Sequence, residues 1–237
     1  MPDELVEALN RYFEIMVEII MSHGGVIDKY IGDAIMAFFG APVKHKDDAL
    51  HSVYAALEMQ AALTEFNREQ QASGKPPFLT GIGINYGIVT VGNIGSEKKM
   101  DYTVIGDMVN LGSRLEGLTK KYKQDLIFSN SVYQKVKGEF PCRLIDKVIV
   151  KGKTMGEKIF TAKKSLTDAE RKGWALYHRG LKQYYSSSFD SAISFFQKVK
   201  SLLPDDYISD MYIERCKRFK VQPPPPDWNG TEILDSK

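Results

Sequence analysis

The sequence predicts an α+β domain, an antiparallel sheet with helices on one face, followed by a small all-α appendage. Three observations carry that prediction. Between residues 3 and 162, stretches with helical apolar spacing alternate with pairs of short apolar runs parted by turn residues, the pattern of helices and hairpins sharing one core. From Thr167 the apolar spacing is helical only. The chain has 237 residues, enough for one domain and an addition, and its 43% hydrophobic content suffices for a packed core.

Each element has a local reason. Residues 3–22 place Leu5, Leu9, Tyr12, Phe13, Met16, Ile19 and Ile20 on one helical face, and Gly24-Gly25 ends the helix. Residues 26–31 and 34–39 are apolar runs joined by Gly32-Asp33, a pair suited to a tight hairpin turn. Residues 46–72 form a second helix that buries Ala49, Val53, Ala56, Leu57, Met59, Leu63 and Phe66, and Pro76-Pro77 lie in the loop after it. Strands are predicted at 78–86 and 88–94, hinged at Gly87. A helix follows from an Asp107 N-cap to about Tyr122, with Gly106 making the turn before it. A strand at 125–128, a short helix at 131–137 and a hairpin of 142–150 with 158–162 complete the domain.

In the helical remainder, Gly180, Ala192, Phe196 and Pro204 stand at the relative spacings of the small, aromatic and proline positions of a tetratricopeptide repeat. One such repeat cannot bury its own face, so it is expected to dock on the domain or on a partner. The expected division is therefore 1–164, 165–222 and a proline-rich tail at 223–237.

Composition narrows the function classes. A formal net charge of +2 argues against a nucleic-acid partner. Cys142 and Cys216 are far apart and form no CxxC pair, which fits a reduced, cytoplasmic compartment without a disulfide framework or zinc site. The most apolar early stretch, residues 13–21, contains Glu14 and Glu18 and is too short to span a bilayer, so no membrane span is expected in this chain; a span elsewhere in a longer protein stays open. His23, His45, His51 and His178 are scattered without metal-ligand spacing, and the glycine-rich segment 92–96 lacks the spacing of a P-loop.

Chemistry concentrates in two stretches, residues 24–40 and 103–116. Asp33, at a hairpin tip, is exposed and rigidly aimed, as a ligand of a divalent ion should be; taken alone, Gly32-Asp33 is equally a good turn. Lys29 lies four residues earlier and alone would be read as a solvated surface lysine. Asn110 and Arg114 sit four apart on one helix and so share a face. Asparagine is a poor helix-interior residue, and an arginine's planar fork of donors suits phosphoryl oxygens. Lys151 and Lys153 flank a glycine at the last hairpin tip, a common surface arrangement.

Together and in this order, these residues resemble the class III nucleotidyl cyclase catalytic domain, over residues 5–162. The resemblance implies the nucleotidyl cyclase fold, a ferredoxin-like antiparallel sheet with helices, and a head-to-tail homodimer with composite active sites. It implies Mg²⁺ or Mn²⁺ at Asp33, purine reading by Lys29 with Thr103, ribose orientation by Asn110, α-phosphate contact by Arg114, and a grip on the terminal phosphates by Lys151 in preference to Lys153. Asp33 would serve one face, and Lys29, Thr103, Asn110, Arg114 and Lys151 the other.

Lysine at the purine position goes with adenine, because an ammonium only donates and so suits adenine's ring acceptors; a carboxylate there would suit guanine. Mammalian-type adenylyl cyclases carry aspartate where Thr103 stands, and threonine is common in a bacterial subgroup. A hydroxyl donates or accepts, which leaves Lys29 most of the discrimination. The expected activity is conversion of ATP to 3′,5′-cyclic AMP and pyrophosphate in signal transduction. A silent nucleotide- or partner-binding module and a guanylate cyclase are the alternatives. In the family, a strand and phosphate loop bearing a second metal aspartate precede the first helix; this sequence starts within that helix, so weakened metal binding is expected of it as given.

Overall fold

The computed structural model describes residues 2–149 and 156–234, and they form two compact units. The first unit comprises Met1–Gly117 and Asp125–Val136. Its opening helix α1 (Pro2–Ser22) buries Ala8, Tyr12, Met16, Ile19 and Ile20, a stripe of three-to-four spacing. Tyr12 and Met16 pack with Phe66 of α2 (Asp48–Ala72), and the Tyr12 and Phe66 rings meet edge-on. Gly24 and Gly25 close α1 by donating to the carbonyls of Met21 and Ile20, and Gly24 adopts φ +81°, the left-handed region.

Strands β1 (Val26–Ile31) and β2 (Ala34–Phe38) pair antiparallel, as the sequence predicts. Only Gly32 of the connecting pair takes a positive φ, +64°. The register slips between Ile27 and Lys29, which makes Asp28 the extra residue of a β-bulge.

The middle of the unit departs from the sequence expectation. Strand β3 (Ile82–Ile84) is short and pairs in parallel with β6 (Leu126–Ser129), not with its neighbour in sequence. Strand β4 (Thr90–Ser96) pairs instead with β5 (Lys99–Ile105), a strand the sequence pattern hides. Only Thr103 and Val104 of β5 are buried, so no alternation betrays it. The sheet pairings are thus mixed rather than wholly antiparallel. Helix α3 (Asp107–Tyr122) begins at Asp107 itself, after Gly106 at φ +150°, and α4 (Asn130–Val136) follows β6.

The second unit comprises Leu118–Gln124 and Lys137–Lys237. Strands β7 (Cys142–Ile149) and β8 (Glu157–Ala162) form the expected antiparallel pair. Helices α5 (Asp168–Tyr185), α6 (Phe189–Leu202) and α7 (Tyr207–Val221) fill the helical region. Thr167 and Glu170 cap α5 reciprocally. Gly180 lets α6 approach: a Cβ there would lie 2.7 Å from the Phe196 ring.

The helices are fastened to β7 by polar groups as well as by apolar ones. Tyr177 donates to the Leu144 carbonyl (2.8 Å) and Tyr212 to that of Ile145 (2.9 Å). The wholly buried Asp146 accepts from Tyr122 (2.7 Å) and pairs with Arg215 (2.7 Å). Arg143 grips Asp206 with two parallel hydrogen bonds, at 2.5 and 2.7 Å, while stacking over Tyr177. Burial pushes the Cys142 and Cys216 thiols up, to about 11 and about 12, which leaves both protonated and inert at neutral pH.

Within the segment expected as a tail, residues 228–234 are folded. Trp228 packs on Tyr184 and Phe219, strand β9 (Glu232–Ile233) pairs in parallel with β7, and Leu234 is buried. The proline run only turns the chain. The apolar residues beyond it have a surface to cover, which composition alone does not reveal.

Removing one partner of a buried ion pair strands the other, at about 3–5 kcal/mol. Asp206→Ala should therefore lower unfolding stability by about that amount, read by urea denaturation at pH 7. Burial works against the Asp206 carboxylate, but hydrogen bonds and charge from Arg143 outweigh it and hold its pKa below the ordinary 3.8. A depressed carboxylate contributes stability above its unfolded pKa and loses it as pH falls through the folded one. The gap between the native protein and Asp206→Ala should accordingly narrow below about pH 4.

Candidate active site

All the site residues within the described chain fall in the first unit. The bulge in β1 turns Asp28 inward: its side chain is 1% exposed, whereas that of the adjacent Lys29 is 42% exposed. Asp28 Oδ2 accepts from the Thr103 hydroxyl at 2.6 Å and from the Val104 backbone N–H at 3.2 Å, both on β5. Lys29 Nζ lies 3.2 Å from Asp28 Oδ1, an ion pair by distance but without hydrogen-bond geometry, which leaves Oδ1 formally unpartnered. One buried carboxylate thus brings Lys29 and Thr103 together, although 73 residues of chain separate them. Sequence reasoning names those two and misses Asp28. Its signal is an aspartate in the interior of a strand, where that residue is depleted.

Asp33 lies at the exposed end of the β1–β2 hairpin. Its charge reaches the Tyr12 hydroxyl of α1, whose pKa is raised chiefly by burial, with the Asp33 charge adding to the rise and a Thr80 hydrogen bond opposing it.

Asn110 and Arg114 occupy successive turns of α3, Asn110 exposed and Arg114 half-buried. The Nη1 of Arg114 is fully buried and has no hydrogen-bond partner among the described residues. Such a donor carries a desolvation cost that an anion would relieve. Neither residue hydrogen-bonds to Lys29, Thr103 or Asp33 among the described residues. Lys151 and Lys153 lie outside the described residues.

The placement of α3 rests on a close backbone approach. A Cβ on Gly83 of β3 would stand 2.2 Å from the Glu116 nitrogen and 2.5 Å from the Gly112 oxygen, so only glycine allows this helix–strand contact. Asn85 donates from Nδ2 to the Met108 carbonyl (2.9 Å), tying the first turn of α3 to the segment after β3. Ser131 of α4 secures the same segment by donating to the Tyr86 carbonyl (2.6 Å).

No group of three or more His, Cys, Asp or Glu side chains among the described residues could hold a metal ion. Asp33 is suited to supply one ligand, but the described residues do not make a resident metal site on their own. No helix among them is long and apolar enough to cross a membrane.

The chain as a whole has relatives among known proteins. The family model "Adenylate and Guanylate cyclase catalytic domain" matches residues 1–164, and the chain belongs to that family. The adenylate cyclase of Anabaena cylindrica is 44% identical over 169 residues, 68% of this chain and 33% of that enzyme. The crystal structure of the adenylyl cyclase CyaB from P. aeruginosa covers 70% of this chain and 85% of its own at a TM-score of 0.65 and 35% identity. That of the guanylyl cyclase Cya2 covers 71% and 84% at a TM-score of 0.61 and 37% identity. The chain spans 10–33% of the length of the first curated relatives it matches.

Gly83→Ala should force β3 and α3 apart. Overpacking costs about 1–3 kcal/mol, so a lowered melting temperature is expected, together with loss of any activity that depends on Asn110 and Arg114. Thermal unfolding and turnover, measured on the same preparation, check both.

Proposed function

We propose that this chain is the catalytic domain of an adenylate cyclase, forming 3′,5′-cyclic AMP and pyrophosphate from ATP in cytoplasmic signal transduction. The observation that carries the reading is the buried, unpartnered Nη1 of Arg114, a donor held ready for an anion one helical turn from Asn110. The ribose 3′-oxygen attacks the α-phosphorus, and the bond to the departing pyrophosphate breaks. Arg114 donates to the α-phosphoryl oxygens as charge grows on them, a role worth about 10²–10³ in rate for comparable preorganised donors. Asn110 orients the ribose, Lys29 and Thr103 read the purine, and Lys151 holds the leaving pyrophosphate. A divalent ion such as Mg²⁺ or Mn²⁺, when bound, would activate the attacking hydroxyl and neutralise phosphate charge. Asp33 contributes one ligand to it.

The functional form in this reading is a homodimer with composite sites. Supporting it, Tyr30 and Ile31 on β1 and Met100, Tyr102 and Ile105 on β5 are large apolar side chains left exposed in the single chain. Residues 1–164 are the catalytic part, and the helices of 165–222 serve docking or regulation, in the manner of a tetratricopeptide-like segment. A silent nucleotide- or partner-binding module is the second reading, favoured by the lack, among the described residues, of a group of three His, Cys, Asp or Glu side chains that could hold a metal ion.

Arg114→Ala in the full-length protein, assayed with ATP and Mn²⁺, should lose about 10²–10³ in kcat with little change in melting temperature. Unchanged turnover would sink the catalytic assignment in favour of the silent module. Lys29→Glu should move selectivity toward GTP, read as the ratio of kcat/KM for the two nucleotides.

A further inference from the structure

The hydroxyl of Thr103 is not free to choose its role. Its proton is committed to Asp28 Oδ2 at 2.6 Å, and the same oxygen also accepts the Val104 N–H at 3.2 Å. An oxygen receiving a backbone N–H is an acceptor on that side, so the hydroxyl must be the donor of this pair. Both groups are shielded from water, Thr103 at 6% residual exposure and the Asp28 side chain at 1%, so solvent offers little competition for the bond. With its only proton spent inward, Thr103 presents lone pairs alone to anything that approaches from outside.

From this geometry we infer that Asp28 is a specificity-determining residue acting through Thr103: it converts an ambiguous hydroxyl into an acceptor and so selects a purine with an amino group at position 6. The inference rests on the reading of Lys29 and Thr103 as the purine-binding pair. An adenine 6-amino group donates to such an oxygen, whereas the 6-oxo group of guanine would set acceptor against acceptor. The β-bulge is what makes this arrangement available. By adding one residue to β1 it allows Asp28 to turn toward β5 while the neighbouring Lys29 stays exposed. The same carboxylate restrains the ammonium at 3.2 Å, so a single anion sets both purine contacts. Threonine at this place thereby performs the accepting half of what an aspartate would do directly.

The test uses the full-length protein and three substrates: ATP, GTP and purine riboside triphosphate, which keeps the adenine ring nitrogens but lacks the 6-amino group. Loss of one matched hydrogen bond predicts kcat/KM for purine riboside triphosphate about tenfold below that for ATP. In Asp28→Leu, which frees the Thr103 proton, the ATP:GTP ratio should fall by about the same factor while GTP turnover persists. Adding Thr103→Asp to Asp28→Leu should restore the preference, because a carboxylate accepts without help. ATP preferred over GTP but handled no better than purine riboside triphosphate would overturn the inference even if no variant folded. A uniform loss for all three nucleotides in Asp28→Leu, with the ratios preserved, would likewise reduce Asp28 to a structural residue. A native protein that favours GTP would instead refute the adenine reading on which the inference stands.

Discussion

The buried carboxylate of Asp28 is the interaction on which the placement of Lys29 and Thr103 depends. Beside it, Phe38 of β2 and Tyr102 of β5 bring their rings to 6.1 Å. Through it, a bulged strand and an otherwise exposed hairpin are held in one arrangement by two hydrogen bonds. A buried acid is costly unless its oxygens are satisfied. Lys29 and Thr103 therefore have a structural reason to sit where they do: each helps to satisfy Asp28.

The contact between β3 and α3 is built on the opposite logic. Gly83 removes every side-chain atom between β3 and α3, and the backbones meet directly. Asn85 and Ser131 then anchor the segment that follows β3. Within this tightly held frame, Arg114 retains a buried nitrogen that the described residues leave unsatisfied. Asp28 is a buried charge met by two hydrogen bonds and by Lys29, whereas Arg114 keeps one buried nitrogen without a hydrogen-bond partner among the described residues.

In the second unit, polar bonds again decide the packing. Asp146, fully buried, is shared by Tyr122, Tyr212 and Arg215, and Arg215 continues toward Glu232 of β9 at 3.8 Å. Arg143 and Asp206 repeat the arrangement nearer the start of β7. The C-terminal helices are therefore held to β7 by charge pairs with fixed geometry, which specify one docking orientation more sharply than apolar contact would.

Much of this was legible in the sequence. The helices α1, α2 and α5–α7 follow from apolar spacing, the β1–β2 hairpin from Gly32-Asp33, and the candidate residues Lys29, Asp33, Thr103, Asn110 and Arg114 from their order along the chain. These are local properties, set by periodicity, turn stereochemistry and residue type. What escaped were the relations between distant segments. The parallel pairing of β3 with β6, the folding of residues 228–234, and the bond from Thr103 of β5 to the carboxylate of Asp28 each need a partner tens of residues away. A hydroxyl at position 103 reads in sequence as donor or acceptor alike. Only the tertiary structure assigns its proton, because the group that takes it comes from another strand and the burial that secures it exists only once the two strands have met.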